Sequence, residues 1–226
     1  MTTDNLPSLR AQVITRRTYN RPLIEGGFES WEQTVDRVIG HQKWLWQRAE
    51  AAPVALDSEL SELRQLMLDR KVLTSGRTLW LGGTEVAKKR EASQFNCSFT
   101  NIETVMDCVD ALWLLLQGCG VGFRPIVGQL TGYQKPIPKL TIKRSERTAK
   151  GGVAHNEETF DAATGVWTIK VGDSAEAWAK SIGKLVAHKY AASELVLDFT
   201  EIRPSGDRLA GYGWISSGDA SLCKAY

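Results

Sequence analysis

Gln94-Phe-Asn-Cys-Ser-Phe99 and Gly118-Cys-Gly-Val-Gly-Phe123 are the two stretches that decide the fold of this chain. The first places a cysteine in an apolar, β-prone run, and the second is rich in glycine and follows an amphipathic segment. Because glycine leaves room and free N–H groups, this combination predicts a thiol beside a backbone surface on which a nucleotide can lie. We expect helical support before this centre and a nucleotide-sensing region after it.

Composition excludes several classes of protein. The chain has 226 residues, of which 42% are hydrophobic and 24% charged, an ordinary globular balance for one large domain or two small ones. A net charge of +2 provides no broad basic face, so we expect no direct nucleic-acid partner. No apolar run reaches the roughly 18 residues of a membrane span, and the N-terminus lacks a signal pattern. We therefore expect a cytoplasmic protein without a membrane partner.

The four cysteines are Cys97, Cys108, Cys119 and Cys223, and they show neither a disulfide framework nor zinc-ligand spacing. A reducing compartment and the absence of a metal site are expected. Position alone leaves three roles open for Cys97: a redox thiol, a nucleophile or a packing residue, since free cysteine is often buried. Cys119 is expected to be a small packing residue, with a second thiol near the site as the alternative.

Residues 1–72 predict a helical region. Ser30 and Gln33 match a capping box that opens the first long helix. Asp57 is expected to cap a second helix. The stretch 73–84 mixes apolar residues with glycines and hydroxyls, which predicts a short strand between two loops.

The centre of the chain predicts a strand, a helix and a second strand. We expect a strand over 95–99 and a helix that Asn101 caps and Gly118 ends. A returning strand is expected over 121–127.

The remainder predicts mainly β-structure around one helix. Residues 140–144 alternate as a strand, and a hairpin is expected around Thr164-Gly165. Asp173 or Ser174 is expected to cap the helix, with Asp173 and Glu176 as a capping box. A strand over 194–202 then leads into a glycine- and arginine-rich loop.

Five motifs in one order carry a resemblance to a known family. They are Ser75-Gly-Arg-Thr-Leu-Trp-Leu-Gly-Gly-Thr84, Asn96-Cys-Ser-Phe99, Gly120-Val-Gly-Phe123, Gly172-Asp-Ser-Ala-Glu-Ala-Trp178 and Arg203-Pro-Ser-Gly-Asp-Arg-Leu-Ala-Gly-Tyr-Gly-Trp-Ile-Ser-Ser-Gly-Asp219. Together they resemble the N-terminal portion of a ribonucleotide reductase, in particular the monomeric, adenosylcobalamin-dependent (class II) type. Each motif is weak alone, but five in sequence are highly specific. The earlier segments Arg17-Thr-Tyr-Asn-Arg-Pro22 and Trp31-Glu-Gln-Thr-Val-Asp-Arg37 also fit, so the resemblance covers nearly all of the chain.

The resemblance implies an α/β fold. A helical N-terminal region, 1–72, would precede the first part of a ten-stranded α/β barrel, 73–226, which this chain leaves incomplete. An insertion over about 130–190 would imitate the partner subunit of dimeric relatives and hold a deoxynucleoside triphosphate (dNTP) effector.

The implied reaction replaces the ribose 2′-hydroxyl with hydrogen after a thiyl radical abstracts the 3′-hydrogen. Two further cysteines supply the electrons and end as a disulfide, and Cys97 aligns with the first of that reducing pair. The thiyl cysteine, the second reducing cysteine, the active-site Asn and Glu and the cobalamin-binding region lie later in family members.

The resemblance also implies a ribonucleotide substrate site. Gly120 would contact the ribonucleotide, with Asn96, Ser75 and Gly76 beside it. The alternative for the glycine-rich stretch is a helix end and a tight turn.

An effector site is implied at the start of the last helix. Asp173 would accept a hydrogen bond from the effector sugar, Ser174 and the helix N-terminus would add donors, and Lys143 and Arg144 would meet the triphosphate. The alternatives are a simple N-cap and a solvated strand edge.

A specificity loop is implied between effector and substrate. Its glycines would permit rearrangement and its arginines would reach a base or phosphate, whereas the alternative is a surface turn. Its residues are Arg203, Gly206, Asp207, Arg208 and Gly211.

We therefore expect an incomplete reductase. Its activity would need a C-terminal reductase fragment that binds adenosylcobalamin, and a thioredoxin-like reductant. The alternatives are a non-catalytic deoxynucleotide-binding module and an inactive truncated remnant.

Overall fold

The computed structural model describes residues 7–126, 128–131, 137, 139–148, 152–209 and 211–226. The chain divides into a helical unit, Met1–Asn96 with Gly211–Gly213, and a strand unit, Cys97–Ala210 with Trp214–Tyr226. Among the described residues no helix is long and apolar enough to cross a membrane. The same residues contain no group of three or more His, Cys, Asp or Glu side chains that could hold a metal ion.

The helical unit contains five α-helices and two short helical turns within its described part. The α-helices are α1 Leu9–Ile14, α2 Trp31–Arg48, α3 Leu56–Leu68, α4 Gly76–Leu81 and α5 Glu85–Lys89, and the turns are the π-helical Thr15–Tyr19 and the 3-10 Glu91–Gln94.

The capping prediction is right for α2 and wrong for α3. Ser30 and Gln33 form the predicted box, in which each side chain bonds the other residue's backbone N–H. Asp57 lies in the first turn of α3 and pairs with Lys43 at 2.7 Å instead of capping the helix. The helix begins two residues earlier than a cap at Asp57 would place it, because Leu56 is buried and its N–H bonds the carbonyl of Pro53.

The stretch predicted as a strand over 73–84 forms helix α4. The hydroxyl of Ser75 accepts a hydrogen bond from the N–H of Thr78 at 3.3 Å and so starts the helix. Leu79 and Leu81 are buried, and a positive φ at Gly83 follows the helix end. N-capping and burial thus outweigh the β-propensity of the threonine, tryptophan and leucine residues.

A buried arginine ties the elements of the helical unit together. The Arg37 guanidinium donates to both carboxylate oxygens of Glu29, at 2.8 and 3.0 Å. It also donates to the backbone carbonyls of Leu79 and Tyr19, at 3.0 and 3.2 Å, and to that of Gly82. The side chains of Arg37 and Glu29 are only 13% and 9% exposed, so water cannot solvate either charge in place of its partner.

The strand unit contains the following elements in its described part. They are β1 Cys97–Ile102, α6 Val105–Leu116, β2 Gly120–Pro125, β3 Lys139–Lys143, β4 Glu157–Asp161, β5 Val166–Lys170, α7 Ala175–Ala187, β6 Glu194–Asp198, β7 Ser205–Arg208, β8 Ile215–Ser217 and α8 Ala220–Ala225.

Strands β1 and β2 pair in parallel and are joined by the crossover helix α6. The prediction that Asn101 caps this helix is wrong, because Asn101 lies inside β1. Thr104 caps α6 in a box with Asp107, whose carboxylate accepts from the N–H of Thr104 at 2.7 Å. The predicted end of the second strand at Val127 lies outside the described residues.

Gly118 ends α6 as predicted. Its φ of 83° is a left-handed conformation that favours glycine. The N–H of Gly118 bonds the carbonyl of Leu115 at 2.8 Å, and the N–H of Cys119 bonds that of Leu114 at 3.1 Å. This Schellman motif turns the chain directly into β2.

A four-stranded sheet with the order β3-β6-β5-β4 forms the centre of the strand unit. Its first three strands are parallel, and β4 closes the predicted hairpin with β5, with a positive φ at Gly165 in the turn. Helix α7 follows β5. The buried core of the unit consists of Trp167, Ile169, Val171, Leu195, Leu197, Phe199, Ile202 and Leu222.

The stretch predicted as a loop over 203–213 contains a short strand. Strand β7 pairs with β8 in antiparallel register, with Ser205 opposite Ser217 and Arg208 opposite Ile215. The register shifts between these two pairs, and Gly206 takes a φ of 98° at that irregularity.

We predict that Arg37→Met lowers the free energy of unfolding of the helical unit by about 3 kcal/mol, because it leaves Glu29 buried without its partner. Burial raises the pKa of Glu29, but the hydrogen bonds from Arg37 and from the backbone of Arg21 outweigh burial and hold this pKa below its ordinary value. The pair therefore stabilises the fold above the ordinary glutamate pKa, and this contribution is lost as the pH falls through the lowered value.

Denaturant melts at neutral and acidic pH measure this effect. The matched control is Lys43→Met, which removes an ion pair with Asp57 whose side chains are 46% and 79% exposed, and should cost less than ~1 kcal/mol. Equal losses in the two variants would contradict the role of Arg37.

Candidate functional site

The thiol of Cys97 lies on an open strand face. Cys97 is the first residue of β1 and is exposed, as are Phe99 and Asn101, while the residues between them are half-buried. Its register partner on β2 is Gly120, which is also exposed. The predicted redox thiol and the predicted substrate-contacting glycine are therefore neighbours on paired strands.

A second glycine keeps this strand face flat. A Cβ built on Gly122 would lie 2.9 Å from the ring of Phe99, so the ring occupies the space that a side chain would need. Phe99 nevertheless remains 69% exposed. The face thus presents a thiol, an aromatic ring and bare backbone, a set of groups that suits a flat ligand.

The other cysteines lie in different surroundings. Cys119 is 3% exposed, and its Sγ lies 3.5 Å from the hydroxyl of Ser98. This burial supports its expected role as a packing residue. Burial and the nearby Asp107 carboxylate raise the pKa of Cys108, and burial and Asp219 raise that of Cys223.

Three predicted substrate residues belong to the helical unit. Ser75 and Gly76 start α4 and are exposed. Asn96 is exposed, and its Oδ1 accepts a hydrogen bond from Nε of Arg77 at 3.1 Å. Sequence reasoning missed Arg77, although it stands inside the quoted motif, because its partner is 19 residues away.

Ser174 caps α7, and the predicted capping box of Asp173 and Glu176 is wrong. The hydroxyl of Ser174 accepts from the N–H of Ala177 at 3.1 Å and donates to the carbonyl of Ala154 at 2.7 Å. Asp173 instead accepts from Nε of Arg203 at 2.7 Å, and its side chain is 5% exposed.

A segment at 152–156, which we call the strap, lies against the start of α7. The N–H of Asp173 bonds the carbonyl of Val153, and the N–H of Gly172 bonds Oδ1 of Asn156, both at 2.9 Å. A Cβ on Gly172 would lie 2.6 Å from the carbonyl carbon of Ala154, so only glycine fits. Sequence reasoning missed the strap, because its partners lie 16 to 20 positions away along the chain.

The two cations predicted to meet a triphosphate differ in how strongly they are already bonded to carboxylates of the chain. Arg144 donates to both oxygens of Asp219, at 2.6 and 2.8 Å, and these bonds raise its pKa and lower that of the aspartate. Lys143 is 58% exposed and lies 3.9 Å from Asp198. Lys143 is therefore the more available of the two.

The described residues of the predicted specificity loop have different surroundings. Arg208 is exposed on β7, and Gly206 lies at the register shift of that strand. Asp207 is half-buried, and its Oδ2 has no hydrogen-bond partner among the described residues. Gly211 belongs to the helical unit, where its carbonyl accepts from Arg21 at 2.6 Å.

Two protein families match separate parts of the chain, and residues 85–138 lie between the matches. Residues 4–84 match the family described as "Ribonucleotide reductase alpha domain". Residues 139–226 match the family described as "B12-dependent ribonucleotide reductase, insertion domain". The two matches stand in the order that the five sequence motifs indicated.

Curated relatives agree with these families. The adenosylcobalamin-dependent ribonucleoside-triphosphate reductase of Lacticaseibacillus paracasei is 28% identical, and the match covers 94% of this chain and 34% of that protein. The same enzyme of Lactobacillus helveticus is 26% identical and covers 95% of this chain and 34% of that protein. A putative enzyme of this name from Mycobacterium phage D29 is 26% identical, with 94% and 31% covered.

A solved structure confirms the predicted fold class. A crystal structure of a B12-dependent (class II) ribonucleotide reductase superposes with a TM-score of 0.75 at 26% identity, covering 93% of this chain and 35% of that one. The chain therefore spans about a third of the length of the relatives it matches.

We predict that Cys97 is alkylated at least ~10-fold faster than Cys119 in the native chain, because an exposed thiol meets the reagent and a buried one does not. Cys108 and Cys223 should also react slowly at neutral pH, since their raised pKa values leave less thiolate. Iodoacetamide labelling followed by peptide mass spectrometry gives the four rates.

Cys97→Ser should abolish the fast phase, and in urea all four thiols should react at similar rates. Fast labelling of Cys119 in the native chain would refute the placement of these thiols.

Proposed function

Because the chain belongs to the ribonucleotide reductases, in their B12-dependent branch, we propose that it acts as the N-terminal part of an enzyme that makes deoxyribonucleotides by thiyl-radical chemistry. The observation that carries the proposal is the exposed Cys97 paired with Gly120, in a chain that matches the alpha and insertion domains in order. The chain spans about a third of its relatives, so activity requires the rest of the enzyme.

In this proposal Cys97 is one thiol of the reducing pair. Its exposure supports this role over a packing role, since free cysteines that only fill space are usually buried. Two electrons leave the pair when its thiols become a disulfide, and a thioredoxin-like reductant restores them. The second thiol, the thiyl cysteine and the active-site Asn and Glu would lie in the part of the enzyme that this chain does not span.

The substrate would lie against backbone and short polar groups. Ser75, Gly76, Asn96 and Gly120 are all exposed and offer hydroxyl, amide and backbone groups for a ribonucleotide. The bond from Arg77 holds the Asn96 oxygen and leaves the amide NH₂ to donate.

The dNTP effector would bind at the start of α7. This helix has 13 residues, and its positive N-terminal end favours a phosphate group. Asp173 would accept a hydrogen bond from the effector sugar there, Ser174 and the helix N-terminus would add donors, and Lys143 is an exposed cation for the triphosphate. Arg144 would serve only by exchanging Asp219 for a phosphate oxygen.

The named relatives are adenosylcobalamin-dependent, and we propose that this cofactor supplies the radical chemistry here and that other parts of the enzyme bind it. Among the described residues the most buried histidine, His41, stacks on Trp44 inside the helical unit and is not placed to ligate the cobalt of this cofactor. The free cysteines of the described residues fit a reducing cytoplasm.

A non-catalytic deoxynucleotide-binding module is the second candidate. This second candidate is favoured because the sheet and α7 of the strand unit share an apolar core within this chain. Such a module would bind dNTPs but would not support turnover with any reductase partner.

We predict that the chain, mixed with the C-terminal two-thirds of the Lactobacillus helveticus enzyme, adenosylcobalamin and a dithiol, reduces a ribonucleoside triphosphate. Cys97→Ser should lower multiple turnover by at least ~100-fold, since a serine cannot form the disulfide. Cys119→Ser is the matched control and should stay near the unsubstituted rate. Turnover that is insensitive to Cys97→Ser would contradict the reducing role.

We also predict that the chain alone binds dATP or dTTP in titration calorimetry. Asp173→Asn should weaken binding by ~10-fold because it loses a charge-assisted hydrogen bond to the sugar together with the ion pair from Arg203 that holds the carboxylate in place. Asp161→Asn, at the hairpin end of the sheet, is the control and should bind as the unsubstituted chain does. If the Asp173→Asn variant binds the nucleotide with the same affinity as the unsubstituted chain, this effector site is ruled out and the rest of the proposal stays in place.

A further inference from the structure

We propose that Arg203 is a positioning residue that ties the start of α7 to the specificity loop. In this scheme a nucleotide bound at α7 acts on β7 through the ion pair of Arg203 with Asp173, whereas Arg203 itself does not contact the nucleotide. The inference rests on the effector site proposed above and specifies how that site is connected.

The ion pair is shielded from solvent. Nε of Arg203 donates to Oδ2 of Asp173 at 2.7 Å, and the two side chains are 18% and 5% exposed. Loss of one partner would leave the other charge in a poorly hydrated place, so the two residues move together. An arginine held in this way is not free to reach a nucleotide base. Its position in the loop, taken alone, indicates that role.

A second attachment joins the same two regions. The carboxylate of Glu201 accepts from the N–H of Val153 at 3.0 Å, from Arg147 at 3.2 Å and from Lys170 at 2.7 Å. The carbonyl of Glu201 also accepts from the N–H of Gly152 at 3.1 Å. The strap that bonds Ser174 through Ala154 is therefore anchored on the turn at 200–203 that follows β6.

Pro204 makes the connection to the loop stiff. It lies between Arg203 and the first residue of β7, Ser205. Its ring fixes φ near −65° and restricts the preceding residue to extended conformations. A shift at Arg203 is therefore passed to β7, where the φ of 98° at Gly206 and the register shift provide a place that can rearrange.

A purely structural ion pair would have a different consequence. It would stabilise both segments, but an effector bound at α7 would protect the loop to the same degree with or without the pair. A positioning role and a purely structural role of the ion pair therefore predict different protection of the loop by a bound nucleotide, and not only different stabilities.

Hydrogen exchange of the full chain tests the link without ligand. Arg203→Gln should raise exchange at least ~5-fold in both 172–178 and 205–217, and Asp173→Asn should do the same in 205–217. Lys139→Gln removes an exposed ion pair with Glu194 in the same sheet and should change neither segment. An unchanged loop in Arg203→Gln and Asp173→Asn would overturn the proposal.

Hydrogen exchange with saturating dATP or dTTP tests whether a nucleotide bound at α7 acts on the loop. In the unsubstituted chain the nucleotide should protect both segments, whereas in Arg203→Gln it should protect 172–178 and not 205–217. Arg203→Lys keeps the charge and should retain part of the loop protection, which separates lost coupling from misfolding. Full loop protection in Arg203→Gln would overturn the link.

The two proposals fail in distinguishable ways. If neither nucleotide protects 172–178 in the unsubstituted chain, the effector site is wrong and the transmission proposed here fails with it. If 172–178 is protected but 205–217 is not, the effector site stands and the link is overturned.

Discussion

Parallel pairing of β1 with β2 is the constraint on which the thiol site depends. Parallel neighbours cannot be joined by a tight turn, so α6 must cross over between them and must end just before β2. The left-handed Gly118 provides that end, and two residues later Gly120 enters the pair opposite Cys97. The glycine that stops the helix thus also sets the register that places thiol and bare backbone side by side.

Buried charges organise each unit in the same physical way. In the helical unit the Arg37 guanidinium uses its planar fork on Glu29 and on carbonyls from two other segments. In the strand unit Asp173 and Glu201 collect cations and backbone N–H groups around the start of α7. Because a buried charge is costly to leave unpaired, its ion pairs and hydrogen bonds keep the surrounding segments rigid. Such rigidity suits a site that has to recognise a ligand.

Local sequence signals predicted the elements whose cause is local. The box of Ser30 and Gln33, the stop at Gly118 and the hairpin at Gly165 each depend on a few adjacent residues, and each is present. The errors arose where packing competes with propensity. Burial of Leu79 and Leu81 turned an expected strand into α4, and pairing with β2 drew Asn101 into β1.

The order of the motifs was enough to indicate the reductase family and its α/β fold, because motif identity and spacing are properties of the chain itself. The same motifs placed Cys97, Gly120 and Asp173 among the candidate residues. Only the folded structure revealed that Asp173 is bonded to Arg203, that Arg144 is bonded to Asp219 and that the strap covers the start of α7. These contacts join residues 16 to 75 positions apart. No local pattern encodes such partners, because burial and charge pairing choose them only when distant segments meet.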